Sequence, residues 1–338
     1  MIAVRRGTAY GVDRRGTMSR HGLCVGLVVA MTSLLGACSL QDSLPAMRPL
    51  PKEAMMLLGK KGMKPEAPIF VRIFKEESEL ELWKQRDDGR FYHFKTYPIC
   101  NWSGELGPKE RQGDKQAPEG FYTVTHDQMN PTSGFHLAFN LGYPNAYDKA
   151  HKRTGEFLMV HGKCKSAGCY AMTDALIEEI YALAREQFMA GHTSFQVHAF
   201  PFRMTPEKLA LHRKDKWFPF WVTLKEGYDY FETARQVPPV AVCERKYLVN
   251  ASFVGNTGRV DPEGRCPAFE RQKLEPFQPS SREQIAEARV MAPGPKMRAV
   301  ASIETAEPAQ SRPSGAFSGL FKGSSPQLSL GFTKPAGQ

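Results

Sequence analysis

The chain has 338 residues and a formal net charge of +10, and 41% of its residues are hydrophobic. This length is ample for a hydrophobic core. The basic excess suits an anionic partner, but no basic cluster is interleaved with aromatic residues, so the composition argues against nucleic acid as a partner.

Residues 1–37 predict a bacterial lipoprotein signal peptide. The apolar stretch from Leu23 to Leu35 is too short to span a bilayer, and Leu-Gly-Ala-Cys at its end predicts lipidation at Cys38. An ordinary buried helix is the alternative, and Met18 is an alternative start. Ser39 follows in place of an acidic residue, which favours the outer membrane over the inner one. We therefore expect a periplasmic protein that is anchored by acyl chains.

The chain has seven cysteines, whose number and spacing bear on which of them form disulfides. Cys24 leaves with the signal and Cys38 carries the lipid, so five remain, an odd number that predicts at least one free thiol in an oxidising compartment. One pair lies about a hairpin apart and predicts a disulfide, with two independent thiols as the alternative. Cys164 could pair with a cysteine on either side of it, and the spacing does not choose. The hairpin pair is Cys243 and Cys266, and the two candidate partners of Cys164 are Cys100 and Cys169.

Short strands dominate the first half of the mature chain. Residues 38–66 predict a tether, and from Pro68 the segments IFVRIF, ELELWKQ and RFYHFKTYPI read as strands, with an Asp-Asp-Gly turn before the third. A long loop rich in Gly, Pro and Lys then returns to a strand at Phe121. Two more strands are predicted in GFHLAFNLGYPNAYD and GEFLMVHG, and the second ends at His161.

One main helix is predicted in the segment DALIEEIYALAREQFMAG. Its apolar residues recur at helical spacing, Thr173 or Asp174 can cap its start, and Gly191 ends it. The strand SFQVHAF follows, then a short helix from Pro206 and a partly helical, aromatic-rich stretch from Trp217.

These elements predict an α+β fold with a β-rich core in one domain over residues 67–205. A small C-terminal appendage is expected over residues 206–270. Residues 271–338 are rich in Pro, Ser, Gly, Ala and Gln, and predict a disordered tail.

The stretch LMVHGKCKSAGCYAMTD, from Leu158 to Asp174, carries the reactive side chains. Cys169 is a candidate thiol nucleophile, and a helix starting just after it would lower its pKa. His161 ends a strand eight positions upstream and is the candidate base. Gly162 and Gly168 allow sharp turns, and the backbone amides of Gly168, Cys169 and Tyr170 could stabilise an oxyanion. Zinc on His161, Cys164 and Cys169 is the alternative, but a Cys-x4-Cys spacing is unusual for zinc and no second pair follows.

The block HGKCKSAGCYAM resembles the signature of the L,D-transpeptidase catalytic domain (YkuD-like) family. Its pattern is His-Gly, then Ser-x-Gly-Cys, here His161-Gly162 and residues 166–169. The upstream segment SGELGPKERQGDKQAPEGFYTV is also similar to the family, and HLAFNLGYPNAYD and FQVHAFPFRMT are similar to its YafK-like branch. The resemblance covers about Ala67 to Thr205. Many members have a second histidine where Ala167 stands in this chain, which puts loop shape and acceptor choice in question.

The resemblance implies a β-sandwich-like fold. We expect no metal and no cofactor. It implies that Cys169 attacks the carbonyl of a peptidoglycan stem-peptide diaminopimelate residue and forms a thioester, which an amine or water resolves. It further implies that His161 accepts and returns the proton, with its ring oriented by the carbonyl of Gly162. Hydrolysis that releases a wall-linked lipoprotein is one alternative function, and non-catalytic wall binding is another.

Several residues are candidate substrate contacts. His136 lies on an alternating strand in a block that resembles the family, and Arg111 could meet a stem-peptide carboxylate, as could Lys115 or Arg203. Membrane contact is expected only through the lipid anchor. The remaining candidates are Tyr143, Asn145 and Ser166.

Overall fold

The computed structural model describes residues 44–255, 260–278 and 280. The predicted signal peptide, the lipidation site Cys38 and residues 281–338 of the predicted tail lie outside these residues. Within them, no helix is both long and apolar enough to cross a bilayer.

The first sheet has five strands, in the spatial order β3 (Phe91–Pro98), β2 (Glu79–Gln85), β1 (Ile69–Phe74), β10 (Ser194–Phe200) and β5 (Gly120–Thr125). The inner strand β1 pairs antiparallel with β2 and parallel with β10, and β10 pairs antiparallel with β5. Leu80 and Leu82 alternate toward the core, which fits the predicted strand pattern.

A second sheet also has five strands, but each is only two or three residues long. In spatial order the strands are β4 (Asn101–Trp102), β9 (Tyr170–Ala171), β8 (Met159–His161), β7 (Ala138–Asn140) and β6 (Met129–Asn130). The pair β8 and β9 runs parallel, and the other neighbouring strands are antiparallel.

The main core lies between the two sheets, together with a long helix, α3 (Asp174–Met189). Ile177, Ile180 and Leu183 are fully buried, so the predicted apolar stripe faces this core. The helix ends near the predicted stop, because Gly191 has a φ of +92° and its amide closes the last turn. The predicted α+β, β-rich fold is thus confirmed. Two other short helices are α1 (Lys52–Lys60) and α2 (Ala146–Ala150).

The segment that follows β10 packs on the outer face of the first sheet. After α4 (Pro206–Leu211) comes α5 (Phe218–Ala234), a second long helix within the stretch predicted as partly helical. Arg72 of β1 pairs with Glu81 at 2.7 Å and with Glu232 of α5 at 2.6 Å, all within or beside the sheet. Trp221 of α5 is fully buried. The segment predicted as an appendage therefore covers one side of the sheet.

Two small hairpins complete the described chain. The first is β11 (Val240–Cys243) with β12 (Lys246–Val249), and the second is β13 (Ala251–Phe253) with β14 (Phe269–Arg271). A disulfide joins Cys243 to Cys266. Beyond it, the amide of Phe277 donates to Thr233 of α5 at 2.7 Å, so residues assigned by sequence to the start of the tail contact the body.

Candidate active site

Strands β8 and β9 bring the two reactive side chains to one face. Val160 pairs with Tyr170, and both side chains are fully buried in the core. Because side chains alternate along a strand, His161 and Cys169, just before β9, both belong to the opposite face. His161 pairs with Ala171, which lies two residues after Cys169. Standard strand spacing then puts the Cα atoms of His161 and Cys169 roughly 8 Å apart, a distance that the imidazole and the thiol can bridge.

His161 is held by the carbonyl that follows it in the chain. Its Nδ1 lies 2.7 Å from the oxygen of Gly162, so Nδ1 carries the proton and donates, and Nε2 is left as an acceptor. Burial lowers the pKa of the imidazole, and the bond to Gly162 only partly offsets this. His161 is therefore neutral at neutral pH, as a proton acceptor must be. The ring of Phe135 packs against the imidazole with 4.6 Å between centroids.

Cys169 is a free, half-buried thiol. Its sulfur accepts a hydrogen bond from the amide of Met159 at 3.4 Å and lies 3.7 Å from the carbonyl oxygen of Phe157. Burial raises the pKa of the thiol, while the Met159 amide and the charge of Lys109 act in the opposite direction. The prediction of a pKa lowered by a helix end is wrong, because α3 begins only at Asp174 and β9 intervenes.

Among the described residues, no hydrogen bond joins the imidazole of His161 to the thiol of Cys169. In this resting arrangement the thiol donates toward Phe157. Since both side chains belong to one face, rotation about the Cα–Cβ bond of Cys169 can aim the thiol toward Nε2 of His161. Catalytic hydrogen bonds often tighten in this way when substrate binds.

Two serines fix the loop before the thiol. The hydroxyl of Ser166 accepts from the amide of Cys169 at 3.1 Å and donates to its carbonyl at 2.7 Å. The hydroxyl of Ser103 accepts from the amide of Gly168 at 2.6 Å and donates to the carbonyl of Lys115 at 2.7 Å. Gly168 has a φ of +115°, which favours glycine. Ser166, predicted as a substrate contact, therefore braces the loop through both its donor and its acceptor.

The predicted oxyanion donors are mostly engaged. The amides of Gly168 and Cys169 donate to Ser103 and Ser166 in the resting structure, so they would have to leave these partners before they could donate to an oxyanion, and that role stays a prediction. Tyr170 lies in a strand paired on both sides, by β4 and β8. Its side chain is fully buried, and its hydroxyl donates to Pro118 at 2.6 Å. Tyr170 thus supports the site from the core.

A disulfide between Cys100 and Cys164 closes the other end of the loop. The amides of these residues donate to the carbonyls of Ala171 and Met172, so the link lies beside β9. This pairing decides between the two candidate partners of Cys164 and leaves Cys169 reduced. It also removes Cys164 from the three ligands that the zinc alternative needs.

Lys109 is a buried cation whose charge acts on the thiol, and the sequence analysis did not select it. It is 5% exposed, donates to the carbonyl of Arg111 at 2.9 Å and pairs with Asp114. The hydroxyl of Tyr143 donates to its carbonyl at 3.2 Å. The Gly-Pro-Lys block of the family resemblance was the one signal that could have pointed to it. Tyr143, predicted as a substrate contact, is 4% exposed and positions this loop.

A buried ion pair also holds the backbone of this loop, at residues 105, 107 and 117. Lys75 and Glu119 are both fully buried and lie 3.0 Å apart. Glu119 also accepts from the amide of Gly107 at 2.7 Å and from the indole of Trp221 at 2.8 Å, which links the loop to α5. Lys75 donates further to the carbonyls of Glu105, Gly107 and Ala117.

The other predicted substrate contacts have structural partners. His136 lies 2.6 Å from Glu178 of α3, and Asn145 caps α2 by accepting from the amide of Asp148. Arg203 pairs with Glu79 and Glu81 in the first sheet. In the ligand-free structure these three side chains are therefore engaged with protein partners, and substrate binding by them stays a prediction.

Arg111 and Lys115 are the exceptions, because both are exposed on the loop beside the thiol. Arg111 also lines a surface cleft that the same loop borders. These two cations remain available to a ligand.

Comparison with known proteins places this site in context. The sequence pattern of the L,D-transpeptidase catalytic domain (YkuD) matches residues 70–197. "Putative L,D-transpeptidase YafK" from Escherichia coli strain K12 is 45% identical over 184 residues, 54% of this chain and 74% of that protein, and its counterpart from strain O157:H7 gives the same values. Among solved structures, the helical cell shape determining protein Pgp2 from Campylobacter jejuni matches with a TM-score of 0.32 and 17% identity, over 56% of this chain and 79% of that one.

Proposed function

Because this chain belongs to the YkuD family of L,D-transpeptidase catalytic domains, we propose that it is a periplasmic, lipid-anchored cysteine acyltransferase acting on peptidoglycan stem peptides. The observation that carries the proposal is the pairing of β8 with β9, which presents a neutral imidazole and a free thiol on one face. Such a pair is the minimum that thioester chemistry requires.

The reaction proceeds in two balanced halves. Nε2 of His161 takes the thiol proton, and the sulfur of Cys169 attacks the carbonyl carbon of the stem-peptide bond. When the tetrahedral intermediate collapses, the carbon–nitrogen bond breaks and the leaving amine takes the proton from the imidazolium, which leaves a thioester. An acceptor amine or water then gives a proton to His161 and attacks the thioester carbon. The carbon–sulfur bond breaks, and the thiolate recovers the proton.

The acceptor that attacks the thioester in the second half of the reaction distinguishes transpeptidation from hydrolysis. Purified cell wall is incubated with the protein, with and without an added diamino acid, and the products are weighed by mass spectrometry. An amine adduct that needs the added acceptor identifies a transpeptidase. A gain of water without it identifies a hydrolase, the activity that would release a wall-linked lipoprotein.

Cys169→Ala is the decisive variant, and Lys165→Ala is its matched control, because Lys165 is exposed in the same loop. Cys169→Ala should abolish turnover and Lys165→Ala should retain it. If the wild-type protein leaves the wall unchanged and yet sediments with it, the chain is a non-catalytic wall-binding lipoprotein and the proposal is rejected.

The anchor is tested separately. The motivating observation is the apolar segment that ends in Leu-Gly-Ala-Cys at residues 35–38. Cys38→Ala should lose incorporation of labelled palmitate and move the protein from the membrane fraction to the soluble periplasmic fraction. An unchanged distribution between fractions would rule the anchor out.

A further inference from the structure

The loop that borders the thiol also lines a cleft of about 370 Å³. Its volume is within the range of ligand sites, roughly 300–1,000 Å³. One wall is the loop, with Glu105, Glu110 and Arg111, and the other is the segment just before α5, with Asp215, Lys216 and Trp217. Neither Cys169 nor His161 is among the described residues that line it.

The polar groups on the cleft surface divide into two sets. Asp114 and Gln116 are used within the loop: Asp114 accepts from the amides of Glu110, Arg111 and Gln116, and the Gln116 side chain bonds to Glu105 and Gly107. In contrast, the side chains of Glu105, Glu110 and Arg111 make no hydrogen bond or ion pair with the described residues. The same is true of the indole N–H of Trp217.

Trp217 is held so that its indole forms a fixed wall. Its amide donates to Asp215 at 2.8 Å, and a Cβ on Gly107 would lie 2.3 Å from its Nε1, so the ring packs directly on that glycine. The ammonium of Lys216 lies 4.8 Å from the ring centroid. The cleft thus combines the aromatic wall of Trp217 with the carboxylates of Glu105 and Glu110 and the guanidinium of Arg111, none of which is paired with a described residue.

This combination suits an uncharged ligand with many hydroxyl and amide groups. Carboxylates accept from hydroxyls, a guanidinium and an indole N–H donate to them, and an aromatic ring packs on apolar C–H groups. A stem peptide rich in free carboxylates is a poorer fit, because it would lie against the unpaired carboxylates of Glu105 and Glu110.

The cleft and the thiol are separated by a single loop. Gln116 lines the cleft, and its carbonyl oxygen would lie 3.6 Å from a Cβ on Gly168, the residue before Cys169. A few extended peptide residues, spanning roughly 10 Å, can pass around such a loop. One wall of the cleft, residues 215–217, lies outside the region 70–197 that matches the family.

We propose that this cleft binds the sugar backbone of peptidoglycan, as a short run of uncharged N-acetylated amino sugars, while the attached stem peptide reaches Cys169. The proposal rests on the proposed function for the identity of the polymer. The cleft would then select peptides that are still attached to a glycan strand.

The test is titration calorimetry of the full chain carrying Cys169→Ala with the tetramer of N-acetylglucosamine. This variant removes the chemistry, so sugar binding is read independently of any acyl transfer. We expect saturable binding, weakened about tenfold by Glu110→Gln, the loss expected when an acceptor to a sugar hydroxyl loses its charge. Glu207→Gln, an exposed glutamate on α4, is the matched control and should bind as its parent does. Glu110 is exposed, so its replacement should leave the fold intact.

Three outcomes overturn the proposal. The tetramer fails to bind, it binds equally well to the Glu110→Gln and Glu207→Gln variants, or a free stem peptide displaces it from the cleft. Thioester formation by the wild-type protein on free stem peptide is measured in parallel. That reaction tests the proposed function alone, so failure of one proposal is distinguishable from failure of the other.

Discussion

The two sheets have the same number of strands but differ in strand length and in the side chains that they carry. The first sheet has strands of six to eight residues. Among its buried charged side chains, Arg72 forms an ion pair with Glu81. The second has strands of two or three residues and carries the thiol and the imidazole. Such short ladders cannot by themselves hold a reactive loop. The loop is held by Ser103, Ser166 and a disulfide, so stability and reactivity depend on separate sets of contacts.

The largest expected effect is on the reactive face of the second sheet. His161→Ala removes the proton acceptor, and we expect acyl transfer to fall by about 10²–10⁴-fold. The free energy of unfolding should change far less than for a core substitution in the first sheet. Initial rates with stem peptide and denaturant unfolding measure the two quantities. His126→Ala, on a side chain that is 78% exposed, is the control and should keep full activity. Equal rates for both variants would remove His161 from the mechanism.

The second prediction concerns the charges enclosed at the end of β1. Lys75→Met leaves Glu119 buried without its cation, and we expect the free energy of unfolding to fall by about 3–5 kcal/mol. Urea unfolding at neutral pH measures it. The double variant Lys75→Met, Glu119→Gln should recover much of the loss, because no buried charge is left unpaired. If the double variant is less stable than the single one, unpaired charge is not the cause.

The third prediction concerns the covalent brace of the second sheet. Replacing Cys100 and Cys164 together by serine should lower stability by about 2–4 kcal/mol, because the link closes a long loop. The same change should increase hydrogen exchange at the amides of residues 162–169. Removing the Cys243–Cys266 pair by the same substitutions is the control, and it should leave exchange in that loop unchanged. Identical exchange in both variants would mean that the serines alone hold the loop.

The smallest expected effect is on the ionisation of the thiol. Burial raises the pKa of Cys169, so little thiolate exists at neutral pH, and the alkylation rate should rise about tenfold per pH unit until that pKa is reached. Lys109→Met removes a charge that lowers this pKa and should shift the profile to higher pH. Because burial lowers the pKa of His161, the loss of activity on acidification should lie below pH 6.5. A plateau of the alkylation rate by pH 7 would contradict this account.

Much of the first sheet and the helix α3 could be predicted, because their apolar residues repeat over six residues or more. The strand ending at His161 was also predicted, since GEFLMVHG is apolar enough to be seen. Strand β9 was not, because two residues give no period. That omission placed Cys169 directly before a helix and produced the wrong direction for its pKa.

Other features depended on contacts between distant parts of the chain. The segment 206–270 was expected to be an appendage, since nothing local shows that Glu232 meets Arg72 or that Trp221 meets Glu119. The partner of Cys164 is decided by backbone bonds from Cys100 and Cys164 to residues 171 and 172, which spacing alone cannot reveal. Asn145 shows a local contact instead, because its side chain caps α2 by accepting from the amide of Asp148, three residues later in the chain.

The positions of the cysteines have a consequence for maturation. Cys169 lies between two disulfides, one joining Cys100 to Cys164 and the other joining Cys243 to Cys266. If the chain is exported as proposed, an oxidase that pairs cysteines in the order in which they emerge would join Cys169 to Cys243 and consume the nucleophile. On that proposal, cells that lack a disulfide isomerase should accumulate an inactive, mispaired form.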